Sequence, residues 1–207
     1  MHDPLSRVRP LADFPALSNS AAELIGTPQT LLPLNPWEAA AVVAQMGLLH
    51  FPAGALVLRE GDDSRSEFLL LILEGEIQVD TAASGEPDVV AIAVLGPGSI
   101  IGEMALLDGA PRSATCTAVG QVRAAGLSRR GLELLIEQQP RVAAKLMMGL
   151  AQRMADRLRG LGQQVQMYAQ IAARLQAELD RLRGGGNAAS TSAGTSAGSA
   201  TSSGEKR

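Results

Sequence analysis

Short apolar runs, separated by turn residues at close intervals, dominate the middle of the chain. Runs of this kind, bounded by glycine, proline or acidic residues, are typical of β-strands. Strands are predicted in this way over residues 55–59, 68–73, 77–81, 89–95, 114–119 and 122–127. Many short strands joined by glycine-containing turns favour an antiparallel sandwich or barrel.

Helix signals flank the strand-rich region. Asn35-Pro36-Trp37-Glu38 supplies an N-cap, a proline at the first helical position and a glutamate at the third, so we expect a helix from Pro36 to about Gly47. Trp37 is expected to be a packing anchor of this helix. Ser128 is a second N-cap residue and predicts a helix over 129–138, and Pro140 starts another.

The helix that follows Pro140 carries a heptad seam. Its apolar or small residues are spaced alternately by four and three positions, at Met147, Ala151, Met154, Leu158, Leu161, Val165, Tyr168, Ala172, Leu175, Leu179 and Leu182. A seam of this length predicts a coiled coil, and we expect a parallel homodimer. The alternative, a single amphipathic helix packed on its own barrel, stays open for the first half of the seam.

Four parts follow from these patterns. Residues 1–34 are rich in proline, serine and alanine and are predicted to be a loosely ordered arm, with one short helical turn near residues 21–25. Residues 35–146 form the strand-rich domain with its N-terminal helix, and residues 147–183 form the long helix. Residues 184–207 are almost entirely Gly, Ser, Ala and Thr and are predicted to be a disordered tail, because they cannot bury enough surface to offset their ordering entropy.

Composition narrows the class of protein. Aromatic residues make up 2% of the chain, so the core must be aliphatic, and a net charge of −3 gives no global electrostatic case for nucleic acid or anionic membrane. Cys116 is the single cysteine, which rules out an intramolecular disulfide and a cysteine-rich metal site. The longest apolar run, over 68–73, is far shorter than a membrane span. We expect a soluble cytoplasmic protein without a metal.

The candidate chemistry lies between the predicted strands at 89–95 and 114–119. There a glycine is followed by a short apolar run, a Gly-Ala-Pro turn, an arginine and two small hydroxyl residues, in the order GEMALLDGAPRSAT over 102–115. Amides at a helix start attract anions, and an arginine grips two phosphate oxygens at once. Glu103 offers a carboxylate to a sugar hydroxyl. These parts together suit a small phosphorylated sugar.

This stretch resembles the phosphate-binding cassette of cyclic-nucleotide-binding domains. That module is shared by cyclic-AMP receptor proteins, protein-kinase regulatory subunits and cyclic-nucleotide-gated channels, and the resemblance extends from about Leu34 to Arg159. It implies an α+β fold: an eight-stranded β jelly roll with the cassette between its later strands, flanking helices and a long C-terminal coiled-coil helix.

The resemblance also implies roles for single residues. Arg112 would pair with the ring phosphate, and Glu103 would accept a hydrogen bond from the ribose 2′-hydroxyl. The other ligand-binding positions are Gly102, Met104, Ala105, Ser113, Ala114 and Thr115. The positions expected to cap the base are Met154, Arg157 and Leu158 of the long helix. None of these three is the hydroxyl residue that cyclic-AMP receptor proteins use there, so cyclic AMP and cyclic GMP both stay open as ligands.

The function implied is that of a dimeric sensor, not an enzyme, since no nucleophile–base pair or metal constellation is present. A cyclic nucleotide would draw the helical region over 133–158 toward the pocket, and the signal would pass through the C-terminal helix to an unknown downstream protein. No helix-turn-helix pattern follows that helix, so direct DNA binding is not expected. Because no apolar run is long enough for a membrane span, a membrane is not expected either. Two alternatives remain: a transcriptional regulator of the cyclic-AMP receptor type that relies on a partner for DNA binding, and a dimeric scaffold that binds no nucleotide.

Overall fold

The computed structural model describes residues 8–26, 34–62, 68–82 and 89–191 of the chain. Two compact units are distinguished, Met1–Met154 and Ala155–Arg207. The first unit contains all the strands of the described ranges. The described part of the second unit is the distal portion of one long helix.

The strands in the described part of the chain form two antiparallel four-stranded sheets. They are β1 (Met46–Phe51), β2 (Leu56–Leu58), β3 (Phe68–Glu74), β4 (Ile77–Ala82), β5 (Val89–Leu95), β6 (Ile100–Ile101), β7 (Thr115–Ala118) and β8 (Val122–Ser128). The first sheet has the order β1-β8-β3-β6 and the second the order β2-β7-β4-β5. Neighbours that are distant in sequence are the mark of a jelly roll, so the predicted fold class is confirmed.

Strand β3 explains why the sequence shows a continuous apolar run. Leu69, Leu71 and Leu73 belong to a core cluster on the helix side, whereas Leu70 and Ile72 belong to the cluster shared with the second sheet. Successive side chains of a strand point to opposite faces, so a strand covered on both faces needs apolar residues at every position. The first sheet therefore lies between helices and the second sheet.

The helices supply the outer layer of this core. They are α1 (Pro15–Gly26), α2 (Pro36–Val43), α3 (Glu103–Asp108), α4 (Arg129–Gln138) and α5 (Pro140–Thr191). The Ser128 hydroxyl caps α4 by accepting a hydrogen bond from the Gly131 N–H at 3.2 Å, as its position before the helix predicts. Val142, Leu146 and Leu150 of α5 are buried in the helix-side cluster.

Helix α2 begins where the sequence predicts and ends earlier. The Asn35 side chain accepts from the Glu38 N–H, and the Glu38 carboxylate accepts from the Asn35 N–H, both at 2.9 Å. The helix stops at Val43 because Met46 already pairs with Leu127 of β8. The expectation that Trp37 is a packing anchor is wrong: the residue is 60% exposed.

The N-terminal segment is more ordered than its composition indicated. Leu11 is completely buried, α1 buries Ala21 and Ile25, and Pro10 forms a β-bridge with Gly47. Loose order is therefore not found over residues 8–26. The missed signal was the small apolar face of α1, which is too short to show a period yet fills the helix-side core.

The distal part of α5 carries the predicted seam on its surface. Leu158, Leu161, Val165, Tyr168, Leu175 and Leu179 are between 50% and 69% exposed. The helix continues through Gly160 and Gly162 and ends at Thr191, inside the region predicted to be a tail. The rest of that predicted tail, residues 192–207, lies outside the described residues. Among the described helices, none is both long and apolar enough to span a bilayer.

An ion pair ties α2 to the start of α5. The Lys145 ammonium donates a hydrogen bond of 2.6 Å to the buried Glu38 carboxylate, which also completes the capping box with Asn35. The Lys145 hydrogen bond and, after it, that of the Asn35 N–H lower the pKa of Glu38, while burial opposes them. A carboxyl with a lowered folded-state pKa stabilises the fold above its unfolded pKa, near 4.3, and loses this effect as the pH falls through the folded value.

Glu38→Gln should therefore lower the free energy of unfolding at pH 7, because it removes the charge facing Lys145 and keeps an oxygen for the Asn35 N–H. The difference in the free energy of unfolding between the variant and the wild type should shrink as the pH is lowered through about 4 and below. There the wild-type carboxyl becomes protonated and is uncharged, like the glutamine amide. Urea unfolding at several pH values measures it. Glu74→Gln is the matched control, since the Glu74–Arg123 pair is half-exposed and should contribute little at any pH. Equal losses at pH 7 and pH 3 for Glu38→Gln would contradict the expectation.

Candidate functional site

The segment 102–115 leaves the first sheet and enters the second. Strand β6 ends at Ile101, and Gly102 and Gly109 flank the six-residue helix α3 at its two ends; the chain then reaches Arg112 and β7. Gly102 and Gly109 have φ angles of 75° and 69°, in the left-handed region that glycine adopts at little cost. The short apolar run that follows Gly102 in the sequence thus lies in α3.

The main chain of Arg112 is held by the turn that follows β2. Its carbonyl accepts from the Gly61 N–H at 2.8 Å, and its own N–H donates to the Asp62 carbonyl at 3.1 Å. Leu58 pairs with Cys116, and the antiparallel register carried forward from this pair brings Asp62 opposite Arg112. The backbone of Arg112 is therefore held beside the second sheet, to which β2 and β7 belong.

The side chain of Arg112 reaches the first sheet. It is only 6% exposed, and its Nη1 donates to the carbonyl of Phe68 at 3.0 Å and to that of Gly102 at 2.9 Å. These carbonyls lie side by side because Leu70 pairs with Ile101, so the start of β3 faces the end of β6. The guanidinium carbon also lies 4.7 Å from the centre of the Phe68 ring. Arg112 thus joins the two sheets.

The positive charge of this site is the Arg112 guanidinium, which is largely shielded from solvent. Burial lowers the pKa of Arg112, and the nearby Cys116, Asp62 and Glu103 oppose that shift. A guanidinium nevertheless stays protonated at physiological pH, because its ordinary pKa lies far above that range. A fixed positive charge with low solvent exposure attracts an anion more strongly than a solvated one does.

The remaining predicted cassette residues belong to α3 and to the chain that follows Arg112. Glu103 is buried at the first position of α3, directly after Gly102. The Ser113 hydroxyl donates to the Met104 sulfur at 3.8 Å, and these two exposed residues form the rim of the segment. The Ala105 carbonyl accepts from the Gly109 N–H at 3.1 Å, and is therefore engaged in ending α3.

Two predicted positions have structural partners in the second sheet. The Thr115 hydroxyl accepts from the Glu60 N–H at 3.1 Å, and Ala114 packs half-buried against the cluster between the sheets. Of the predicted base-capping residues, Met154 is half-buried, and Arg157 and Leu158 are exposed on the distal part of α5. Their capping role stays a prediction.

Two elements of the site were not singled out from the sequence. One is Phe68, read only as the start of a strand. The other is the turn at Gly61-Asp62, whose backbone holds the main chain of Arg112. Neither carries a local signal, because each becomes part of the site only through strand pairing. Within the described ranges, no three His, Cys, Asp or Glu side chains come together as a metal site.

Comparisons of the sequence and of the structure with known proteins indicate the same family. The family model of the cyclic nucleotide-binding domain matches residues 48–139. A solved cyclic nucleotide-binding domain from Methylobacillus flagellatus is 31% identical, with a TM-score of 0.63 over 70% of this chain and 80% of that one.

Two relatives of known type extend the comparison. A CRP-like cAMP-activated global transcriptional regulator of Mycobacterium tuberculosis is 29% identical over 58% of this chain and 53% of its own length. A cAMP-dependent protein kinase regulatory subunit of Aspergillus niger is 33% identical over 50% of this chain and 24% of its own length. The chain thus spans about half of the first relative and about a quarter of the second.

Gly102→Ala tests how tightly this site is built. A Cβ at Gly102 would lie 2.5 Å from Arg112 Nη1 and 3.0 Å from the Phe68 carbonyl oxygen, whereas a Cβ at Gly54, with φ of 74°, meets nothing within 4 Å. Gly54→Ala should therefore cost only the backbone strain, about 1 kcal/mol, and Gly102→Ala at least about 1 kcal/mol more. Urea unfolding measures both. If the added methyl group clashes with Arg112, most of the additional loss in the free energy of unfolding should disappear in the Arg112→Ala background. Equal losses at the two glycines would show instead that the Arg112 side chain moves away at little cost.

Proposed function

Because this chain belongs to the cyclic nucleotide-binding domain family, we propose that it is a non-enzymatic sensor that binds a cyclic mononucleotide at Arg112. The relatives compared above are a regulator and a regulatory subunit, which supports a regulatory function over a catalytic one. The proposal depends chiefly on one observation: a guanidinium that is 6% exposed and fixed between two sheets beside a buried carboxylate.

The chemistry of a cyclic nucleotide matches this arrangement. Its ring phosphodiester carries one negative charge and two exocyclic oxygens, which suit the planar fork of an arginine. Nη1 of Arg112 donates to the carbonyls of Phe68 and Gly102, and these two hydrogen bonds fix the guanidinium that would meet the phosphate. Glu103 would accept from the ribose hydroxyl, as the family resemblance implies. Ser113 and Met104, at the rim, would border the ligand.

The identity of the base is a separate question. The two relatives are named for cyclic AMP. Ser113, the hydroxyl residue after Arg112, is compatible with cyclic AMP and with cyclic GMP. The proposed ligand class is therefore the cyclic mononucleotide, and both nucleotides are needed in the titrations below.

We further propose that the distal part of α5 pairs with that of a second copy in a parallel homodimer. Its seam residues repeat every three and four positions and remain at least half exposed over several heptads. A helix that exposes such a stripe gains free energy by burying it, and an identical helix offers the complementary stripe.

Arg112→Ala should weaken cyclic nucleotide binding by about 2–5 kcal/mol, since the phosphate would enter a desolvated site without its counter-charge. Arg112→Lys should weaken it less, because charge remains although the fork is lost. Isothermal titration with cyclic AMP and cyclic GMP measures both variants. Arg123→Ala, a half-exposed arginine of β8 paired with Glu74, is the control and should bind like the wild type. A wild-type chain that binds neither nucleotide would leave the dimeric scaffold as the better description.

Sedimentation equilibrium tests the dimer. The wild-type chain should be dimeric, and the double variant Leu161→Glu with Val165→Glu should be monomeric, because each change puts a charge into the seam. Gln170→Glu, an exposed change away from the seam, is the control and should stay dimeric. Leu175→Cys should cross-link under oxidising conditions if the helices are parallel, since the same position of both copies then meets at the seam; failure to cross-link in a dimeric protein would indicate an antiparallel pair.

A further inference from the structure

Phe68 contacts the Arg112 guanidinium in two ways. Its carbonyl oxygen accepts from Nη1 at 3.0 Å, and its ring centre lies 4.7 Å from the guanidinium carbon. The first contact is a hydrogen bond from one guanidinium nitrogen, and the second places the guanidinium carbon over the aromatic ring. One residue therefore restrains the cation in two directions, and the Gly102 carbonyl, at 2.9 Å from Nη1, supplies a third restraint.

Phe68 itself is held in place by the fold. It is the first residue of β3, it pairs with Ser128 of β8, and its half-buried ring packs against the cluster between the two sheets. A ring mounted on a paired strand has little freedom to follow a moving arginine. It therefore acts as a fixed surface for the guanidinium to lie against.

The chemical nature of this support matters for an anion site. An aromatic face stabilises a cation through the ring quadrupole, and this attraction is stronger where the cation is desolvated. The Phe68 ring, with its centre 4.7 Å from the guanidinium carbon, thus offsets part of the cost of burying the Arg112 charge.

We infer that Phe68 is a positioning residue for the cyclic phosphate: its ring and carbonyl fix the plane of the Arg112 guanidinium before the ligand arrives. The inference rests on the proposed function and adds a residue that the cassette pattern does not contain. Since an ordered fork loses less freedom on binding, the effect should appear in ligand affinity.

The test compares aromatic and aliphatic residues at position 68 in the full chain. Phe68→Leu keeps an apolar side chain and the carbonyl but removes the aromatic face, and should weaken binding of cyclic AMP or cyclic GMP about 2- to 30-fold. Phe68→Tyr and Phe68→Trp should restore wild-type affinity within a few-fold. Phe14→Leu is the matched control: Arg9 stacks on Phe14 at 4.5 Å, outside the segment 102–115, so losing that stack should leave affinity unchanged.

Two further measurements separate positioning from a structural effect. In the Arg112→Lys background, Phe68→Leu should change affinity much less than in the wild type, because lysine has no plane to orient. In the ligand-free protein, the Arg112 Nε–Hε NMR resonance should lose its aromatic ring-current shift in Phe68→Leu and keep one in Phe68→Tyr.

The outcomes are distinct. Wild-type affinity in Phe68→Leu, or equal losses in the leucine, tyrosine and tryptophan variants, would overturn the role of the ring while leaving the cyclic nucleotide site intact. Equal losses from Phe68→Leu in the arginine and lysine backgrounds would overturn it as well. Absence of binding by the wild-type chain would instead remove the proposed function, and the inference with it.

Discussion

This site depends on one constraint, the way in which the buried Arg112 is held. Its backbone is held beside the second sheet, and its charged guanidinium is held by carbonyls at the first sheet. Asp62 and Gly61 hold the Arg112 main chain, and Phe68 and Gly102 hold its head. Because the supports lie on different sheets, the position of the cation follows from how the jelly roll closes. The segment 102–115 contains the arginine, and the packing of the two sheets against each other determines where its guanidinium lies.

The same segment also touches the opposite side of the first sheet. Leu106 of α3 is fully buried in the helix-side cluster, which also contains Leu135 of α4 and Leu146 and Leu150 of α5. A displacement of α3 would therefore disturb a core that it shares with both C-terminal helices of the first unit. In a close-packed interior repacking favours discrete arrangements over gradual ones, which is the physical basis for a two-state response.

Local chemistry predicted well where the decisive interactions are themselves local. The caps at Asn35 and Ser128 and the apolar run of β3 were predicted because each depends on neighbours in sequence. The order of α1 was missed because its stabilisation comes from distant core residues. Phe68 was missed for the same reason: its meaning depends on the pairing of β3 with β6. The family resemblance supplied the cassette but could not supply a contact that this chain makes through a side chain outside it.

The N-terminal segment shows that the unit which folds is larger than the unit which defines the family. The Arg9 carbonyl accepts from the Leu48 N–H, and Leu11 and Ile25 fill the floor beneath the first sheet. A protein cut at residue 48, where the family match begins, would uncover an aliphatic surface that these residues now seal. Aggregation of such a shortened protein would then result from the exposed aliphatic surface and would carry no information about nucleotide binding. The helices before residue 48 thus complete the core of the domain that they precede.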